Sequence, residues 1–193
     1  MSISLQKGQK IRLAKESGTA LDRVILGLGW DVAAKKKGIL SFLGGGEIDL
    51  DASCLMFDEA RQLVDVVWFE QLRSRDGSIQ HTGDNVTGAG EGDDEQIIVE
   101  LSRVPAQVAS LVFVVNSFSG QSFERVQNAF CRLLDASNQQ EFATYQLNAQ
   151  GDHTAMIMAK LYRHAGEWRM HAIGAYAQGK TVQSLLPVVI NHI

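Results

Sequence analysis

The sequence predicts an all-β fold, an antiparallel β-sandwich of about ten strands with a short C-terminal helix, and three observations carry that reading. Apolar and polar residues alternate with period two far more often than they recur at helical spacing. The alternating runs are bounded by Gly, Asn, Asp and Ser turn chemistry. Only two prolines occur, Pro105 and Pro187, so few candidate strands are interrupted.

Taken in order, the candidate strands are Lys10 to Leu13, Arg23 to Trp30, Ile48 to Cys54, Leu63 to Leu72, Gln96 to Leu101, Ser110 to Phe118, Asn128 to Leu134, Glu141 to Leu147, His153 to Arg163 and Trp168 to Tyr176. In the third, alternation sends Ile48, Leu50 and Ala52 to the core and leaves Asp49 and Asp51 together on the other face. That pair reads either as a solvated polar face or as part of a binding site. Arg163, His164 and Glu167 occupy a hairpin turn flanked by Tyr162 and Trp168, while Trp30 and Trp68 sit in apolar runs as core indoles. Thr181 is a helix-start residue before an apolar tail, in which Pro187 belongs at a kink or a helix boundary.

A chain of 193 residues with 45% hydrophobic content is long enough for one buried core, and neither a repeat nor a low-complexity linker divides it; we expect one domain over residues 1–193. The net charge of −4 is local in origin. Seven of the 22 acids lie between Arg75 and Arg103, where no Lys or Arg occurs, so the rest of the chain carries a slight basic excess. This excludes a globally basic nucleic-acid binder. Cys54 and Cys131 lie in apolar stretches and read as buried free thiols, since two cysteines make no disulfide framework. The start lacks a secretory leader and no apolar run spans a membrane, so the expected location is cytoplasmic, without a transmembrane segment. The stretch Lys35 to Gly46 combines three lysines, exposed-type Ile39, Leu40, Phe42 and Leu43, and a triple glycine; it reads as a long hairpin connection or a docking tip for a membrane surface or protein.

Chemistry concentrates in Gly83-Asp84-Asn85-Val86-Thr87-Gly88-Ala89-Gly90-Glu91-Gly92-Asp93-Asp94-Glu95, which holds five carboxylates among four glycines. Like charges this close repel by about 1 kcal/mol per pair in water-like dielectric and by several times that near a protein surface, unless a cation neutralises them. Glycines let such a loop curl so that carbonyls and carboxylates face one centre. An oxygen-only donor set suits calcium, which takes roughly 6 to 8 oxygens in adaptable geometry, better than magnesium, which keeps several waters. The competing reading is a flexible acidic hairpin tip. An EF-hand is excluded, because starting its template at Asp84 puts Val86 and Gly88 at ligand positions, and starting at Asn85 puts Gln96 where the bidentate Glu belongs. Asp31, which ends its own strand, and the pair Asp49 and Asp51 are further acidic candidates.

Other signals carry less. The five histidines lack the short spacing of a zinc pair. Ser117 to Ser122 contains no Gly-x-Ser-x-Gly elbow, and the glycine run lacks the lysine of a phosphate loop. A metal-dependent enzyme acting on phosphate compounds is the alternative function class, with Arg125 and Arg132 as the nearest basic partners. A tellurite chelator or reductase working through Cys54 and Cys131 is a third.

Several stretches together resemble the TerD family of tellurite-resistance and stress-response proteins, with the TerZ type nearest. They are Gly27-Leu28-Gly29-Trp30-Asp31, Ile48-Asp49-Leu50-Asp51-Ala52, Asp76 to Asn85 and the acidic loop through Glu95, then Asn116-Ser117-Phe118, Gly120 to Phe123, Asn128 to Arg132, Leu161 to His164 and Gly166-Glu167-Trp168. The resemblance covers nearly the whole chain. It implies a calcium-binding β-sandwich, not an enzyme, that contributes to tellurium resistance as a cation-dependent scaffold or sensor. It further implies action with other ter-operon products, in a membrane-associated complex at the inner surface of the cytoplasmic membrane. The implied calcium loop maps onto Asp84, Asn85, Thr87, Gly88, Asp93, Asp94 and Glu95, with Asp31, Asp49 and Asp51 as further acidic contributors and two ions expected. Ala89 and Glu91 depart from the family's usual Glu and Asp inside the glycine run, a difference that bears on ligand number and affinity.

Overall fold

The computed structural model describes residues 2–15, 17–32, 50–83, 93–147 and 151–193. Twelve strands follow in order: β1 (Ile3–Leu5), β2 (Lys10–Arg12), β3 (Arg23–Val32), β4 (Leu50–Asp58), β5 (Leu63–Val67), β6 (Ile79–His81), β7 (Glu95–Glu100), β8 (Val108–Ser117), β9 (Val126–Asp135), β10 (Gln140–Gln146), β11 (Ala155–His164) and β12 (Glu167–Ala177). Helix α1 (Val182–Val189) and a 3-10 turn (Ile190–His192) complete the described structure. One six-stranded sheet, sheet A, runs β1-β10-β9-β3-β7-β6; the other, sheet B, runs β2-β12-β11-β8-β4-β5. All pairings are antiparallel except β1 with β10.

The period-two pattern explains the layers. Leu26 and Leu28 of sheet A face Ala52, Cys54, Phe113, Met158 and Met170 of sheet B across a sealed core. Sheet B is covered on its other face as well. There Leu55, Phe57, Val112, Val114 and Ile157 pack beneath Val182, Leu185 and Val189 of α1. Burying a Leu185-sized side chain contributes about 1.5–3 kcal/mol, which anchors the helix. Thr181 and Ser184 close a capping box at its start.

Several expectations need correction. Two strands were not expected, β1 and β6, each of three residues. The expected strand from Leu63 to Leu72 stops at Val67, and Trp68 opens a tight turn bridged to Gln71. Trp68 is partly buried against the helix-side cluster rather than inside a strand. Pro187, expected at a kink or a helix boundary, lies in the last turn of α1, a helix only eight residues long. The expected polar face of β4 is buried: Asp51 is 4% exposed and Ser53 2%, because other parts of the fold cover both faces of that strand. The hairpin after Arg163 turns on Ala165 and Gly166, both at positive φ, with Trp168 packed beneath the Arg163 guanidinium. Cys54 and Cys131 are free and buried, as expected. The Lys35 to Gly46 stretch lies outside the described residues.

Candidate metal centre

The acidic segment meets the folded sheets at one end of β3. There the β3 to β9 ladder shifts register between Gly29 and Asp31, a bulge that puts Trp30 out of step. Its N–H donates instead to Asp94 Oδ2 at 2.8 Å. Asp94 in turn donates its own N–H to the Leu28 carbonyl at 2.7 Å, extending the β3 to β7 pairing by one bond beyond Leu28 and Glu95. Asp31, beyond the bulge and exposed, accepts from Asn128 Nδ2 at 2.7 Å; Asn128 adopts a φ of 50° in β9.

Electrostatics mark the same spot. Burial first, then the charges of Asp31 and Asp93, push the Asp94 carboxyl above its usual range, although the Trp30 N–H pulls the other way. Three carboxylates therefore bear on one another where β3 and β7 end. Self-repulsion of this kind is what a divalent cation relieves.

Asp93 has other attachments. Its Oδ1 accepts from Arg132 Nε at 2.6 Å and its Oδ2 from Gln96 Nε2 at 3.0 Å, with the carboxylate fully buried. The carboxylate lies directly over Gly27, where a Cβ would collide with it. Glycine at 27 is thus a requirement of close approach, not of backbone strain.

Glu95 points into the core. Its Oε2 accepts the Ala52 N–H of sheet B at 2.6 Å and lies 3.3 Å from His81 Nε2. His81 Nδ1 accepts the Gly83 N–H at 3.0 Å, which leaves the imidazole proton on Nε2, facing the carboxylate. Composition and spacing gave no hint of His81, because its partner comes from a different strand.

Asp51 pairs in register with Asn116 of β8. Its neighbours Leu50 and Ala52 belong to the inter-sheet core, so alternation turns Asp51 to the opposite face of sheet B. Asp49, Asp84, Asn85, Thr87 and Gly88 lie outside the described residues. Among the described residues, no group of three or more His, Cys, Asp and Glu side chains has the arrangement of a metal centre. Asp31 and Asp93 act on Asp94 through their charge while bonded elsewhere, to Asn128 and to Arg132 and Gln96, and Glu95 ties the sheets.

Comparison with known proteins decides the family. The chain matches the TerD domain over residues 1–187. It belongs to the TerD family. Tellurium resistance protein TerZ of Serratia marcescens is 46% identical, covering 99% of this chain and 98% of that protein. Stress response protein SCP2 of Bacillus subtilis (strain 168) is 44% identical, covering 90% and 92% respectively, and TerD of Serratia marcescens is 40% identical, covering 93% of each. The crystal structure of a homologue of telluride resistance protein (TerD) from Streptomyces coelicolor A3(2) superposes with a TM-score of 0.70 at 22% identity, covering 86% of this chain and 96% of that one. That likeness establishes the shared fold. The relatives' names describe resistance and stress-response proteins, not enzymes. No helix among the described residues is long and apolar enough to cross a membrane.

Proposed function

We propose that this TerD-family protein is a calcium-dependent scaffold or sensor in tellurium resistance and related stress responses, working with other products of its resistance operon. The observation that carries the reading is the placement of Asp94, bonded to the Trp30 N–H and the Leu28 carbonyl where the acidic run joins β3 and β7, with the charges of Asp31 and Asp93 acting on its carboxyl. Asp31 and Asp94 would supply carboxylate oxygens, and the run from Asp84 to Gly92 the remaining oxygen donors. The donor set is all oxygen, which fits calcium or magnesium and not a thiolate-seeking metal.

When bound, calcium would supply charge neutralisation for the carboxylates. The chain's own groups do the rest. Arg132 and Gln96 hold Asp93, the Trp30 N–H orients Asp94, and Glu95 fixes the strand end against sheet B. Ion binding at the end of β7 would thereby be felt by both sheets. Of the two basic partners named for a metal-dependent enzyme acting on phosphate compounds, Arg132 is paired with Asp93. Equilibrium dialysis against labelled calcium tests the assignment: wild type should retain the ion and Asp94→Asn should retain markedly less. Equal retention by both overturns it.

A further inference from the structure

The far side of sheet B carries a second charge anomaly, of opposite sign and far from the acidic run in sequence. Register pairs Arg169 of β12 with Arg12 of β2, and His171 with Lys10; on the other side of β12, His171 pairs with Lys160 of β11. Paired residues share a face, and Ile11 and Met170 between them face the inter-sheet core. The cations therefore stand on the outer face in two adjoining rows, Arg12 beside Arg169 and Lys10 beside His171 and Lys160. Neighbouring strands are roughly 4.7–4.9 Å apart, so each row sets like charges side by side. Like charges directly opposite one another destabilise a sheet.

The surroundings add cations rather than remove them. Lys160 Nζ donates to the His192 carbonyl at 2.8 Å, bringing the His192 residue to the row's edge, and its ammonium lies 5.4 Å from the centre of the Tyr162 ring. Burial first, then Lys10 and Arg61, hold the Lys160 ammonium below its ordinary value. His171 is lowered by burial and then by Lys10, Lys160 and His192; His192 by burial and then by Lys160 and Lys7. Among the described residues, the one carboxylate in ion-pair contact with these cations is Glu167, on Arg12. Donors are left over too. Arg169 Nε and the hydroxyl of Ser110, register partner of Tyr162, are buried without a hydrogen-bond partner among the described residues.

We propose that this face is a binding site for a soluble polyvalent phosphate anion, gripped by Lys10, Lys160, Arg169 and His171 with His192 at its edge. Guanidinium and ammonium groups at strand spacing match successive phosphate oxygens, and charge-assisted bonds are stronger than neutral ones. The site is independent of calcium: it uses no residue of the acidic run.

The test uses the full chain in calcium-depleted buffer, with tripolyphosphate as probe, followed by calorimetry and by the imidazole resonances of His171 and His192. Binding should weaken as salt rises, and both imidazoles should titrate at higher pH when the probe is bound. Lys160→Gln and Lys10→Gln should each raise the dissociation constant about tenfold, the loss of one charge-assisted contact of about 1.4 kcal/mol. Lys10 lies on an exposed edge strand, so its variant folds whether or not Lys160 is needed for packing. Arg103→Gln, at a cation paired with Glu100 away from the rows, should bind as wild type does. No binding at low salt, equal weakening by Arg103→Gln, unmoved imidazoles, or binding only to vesicles of anionic phospholipid would each overturn the proposal.

Discussion

Glu95 Oε2 accepts the Ala52 N–H at 2.6 Å, so one carboxylate at the start of β7 joins sheet A to β4 of sheet B. The acceptor is almost fully buried, with the His81 imidazole 3.3 Å away. The β4 to β5 pairing begins only at Cys54, which leaves Ala52 beyond the paired stretch of that edge. A side chain from the other sheet takes over where the ladder stops.

Truncating this carboxylate removes the acceptor for a buried N–H and the partner of a buried imidazole. Glu95→Ala should lower the stability of the metal-free protein by about 3 kcal/mol, and Glu95→Gln, which keeps an acceptor oxygen, by less. Urea denaturation in a chelating buffer measures both. A Glu95→Ala protein as stable as wild type without calcium would show that the carboxylate works as a ligand and not as a tie between sheets.

The thiols should be inert. Burial first, then the charge of Asp93, pushes Cys131 up to about 12, and burial with Asp65 pushes Cys54 higher still. A buried thiol so far from ionisation offers no nucleophile at neutral pH. Ellman's reagent should count no fast-reacting thiol in the native protein and two after denaturation. One rapid native equivalent would restore the idea of cysteine-based tellurite chemistry.

Acid sensitivity has a local source in the Asp135 carboxylate. Burial opposes its charge, but bonds from the Ser137 hydroxyl, Lys15 and the Ser137 N–H outweigh that and hold it below the usual range. A lowered carboxyl stabilises the fold in full above its unfolded value, near about 3.9, and the contribution disappears as pH falls through the folded value. Wild type should therefore melt higher than Asp135→Asn at pH 6, and the gap should close on acidification below about pH 4. A gap that widens towards acid would reverse the sign of this account.

Much of the fold was legible because β3, β8, β11 and β12, each of ten or eleven residues, are long runs of strand-type residues bounded by turn chemistry. β1 and β6 were not: each is only three residues long, and β1 pairs with β10 far along the chain while β6 pairs with β7 on the other side of the acidic run. The burial of Asp51 was hidden for a different reason. Alternation tells which residues share a face, but not what else in the fold covers it. At the candidate site, the run of acids was visible, whereas its division of labour was not. Arg132, His81 and the Trp30 N–H come from three other strands, and only the sheet order brings them to Asp93, Glu95 and Asp94.

On the proposed function, the acidic run and the ends of β3 and β7 tolerate their mutual repulsion because they hold calcium. Thermal melting of metal-free protein with added calcium tests it most directly. Ligand at 100 times its dissociation constant adds about 2.7 kcal/mol to the folded state, which in a chain of this size raises the midpoint by roughly 5–10 °C. Wild type should show that rise, with Asp94→Ala largely insensitive to the ion. An unchanged midpoint in millimolar calcium would rule out calcium as the ion and leave the acidic run without a ligand.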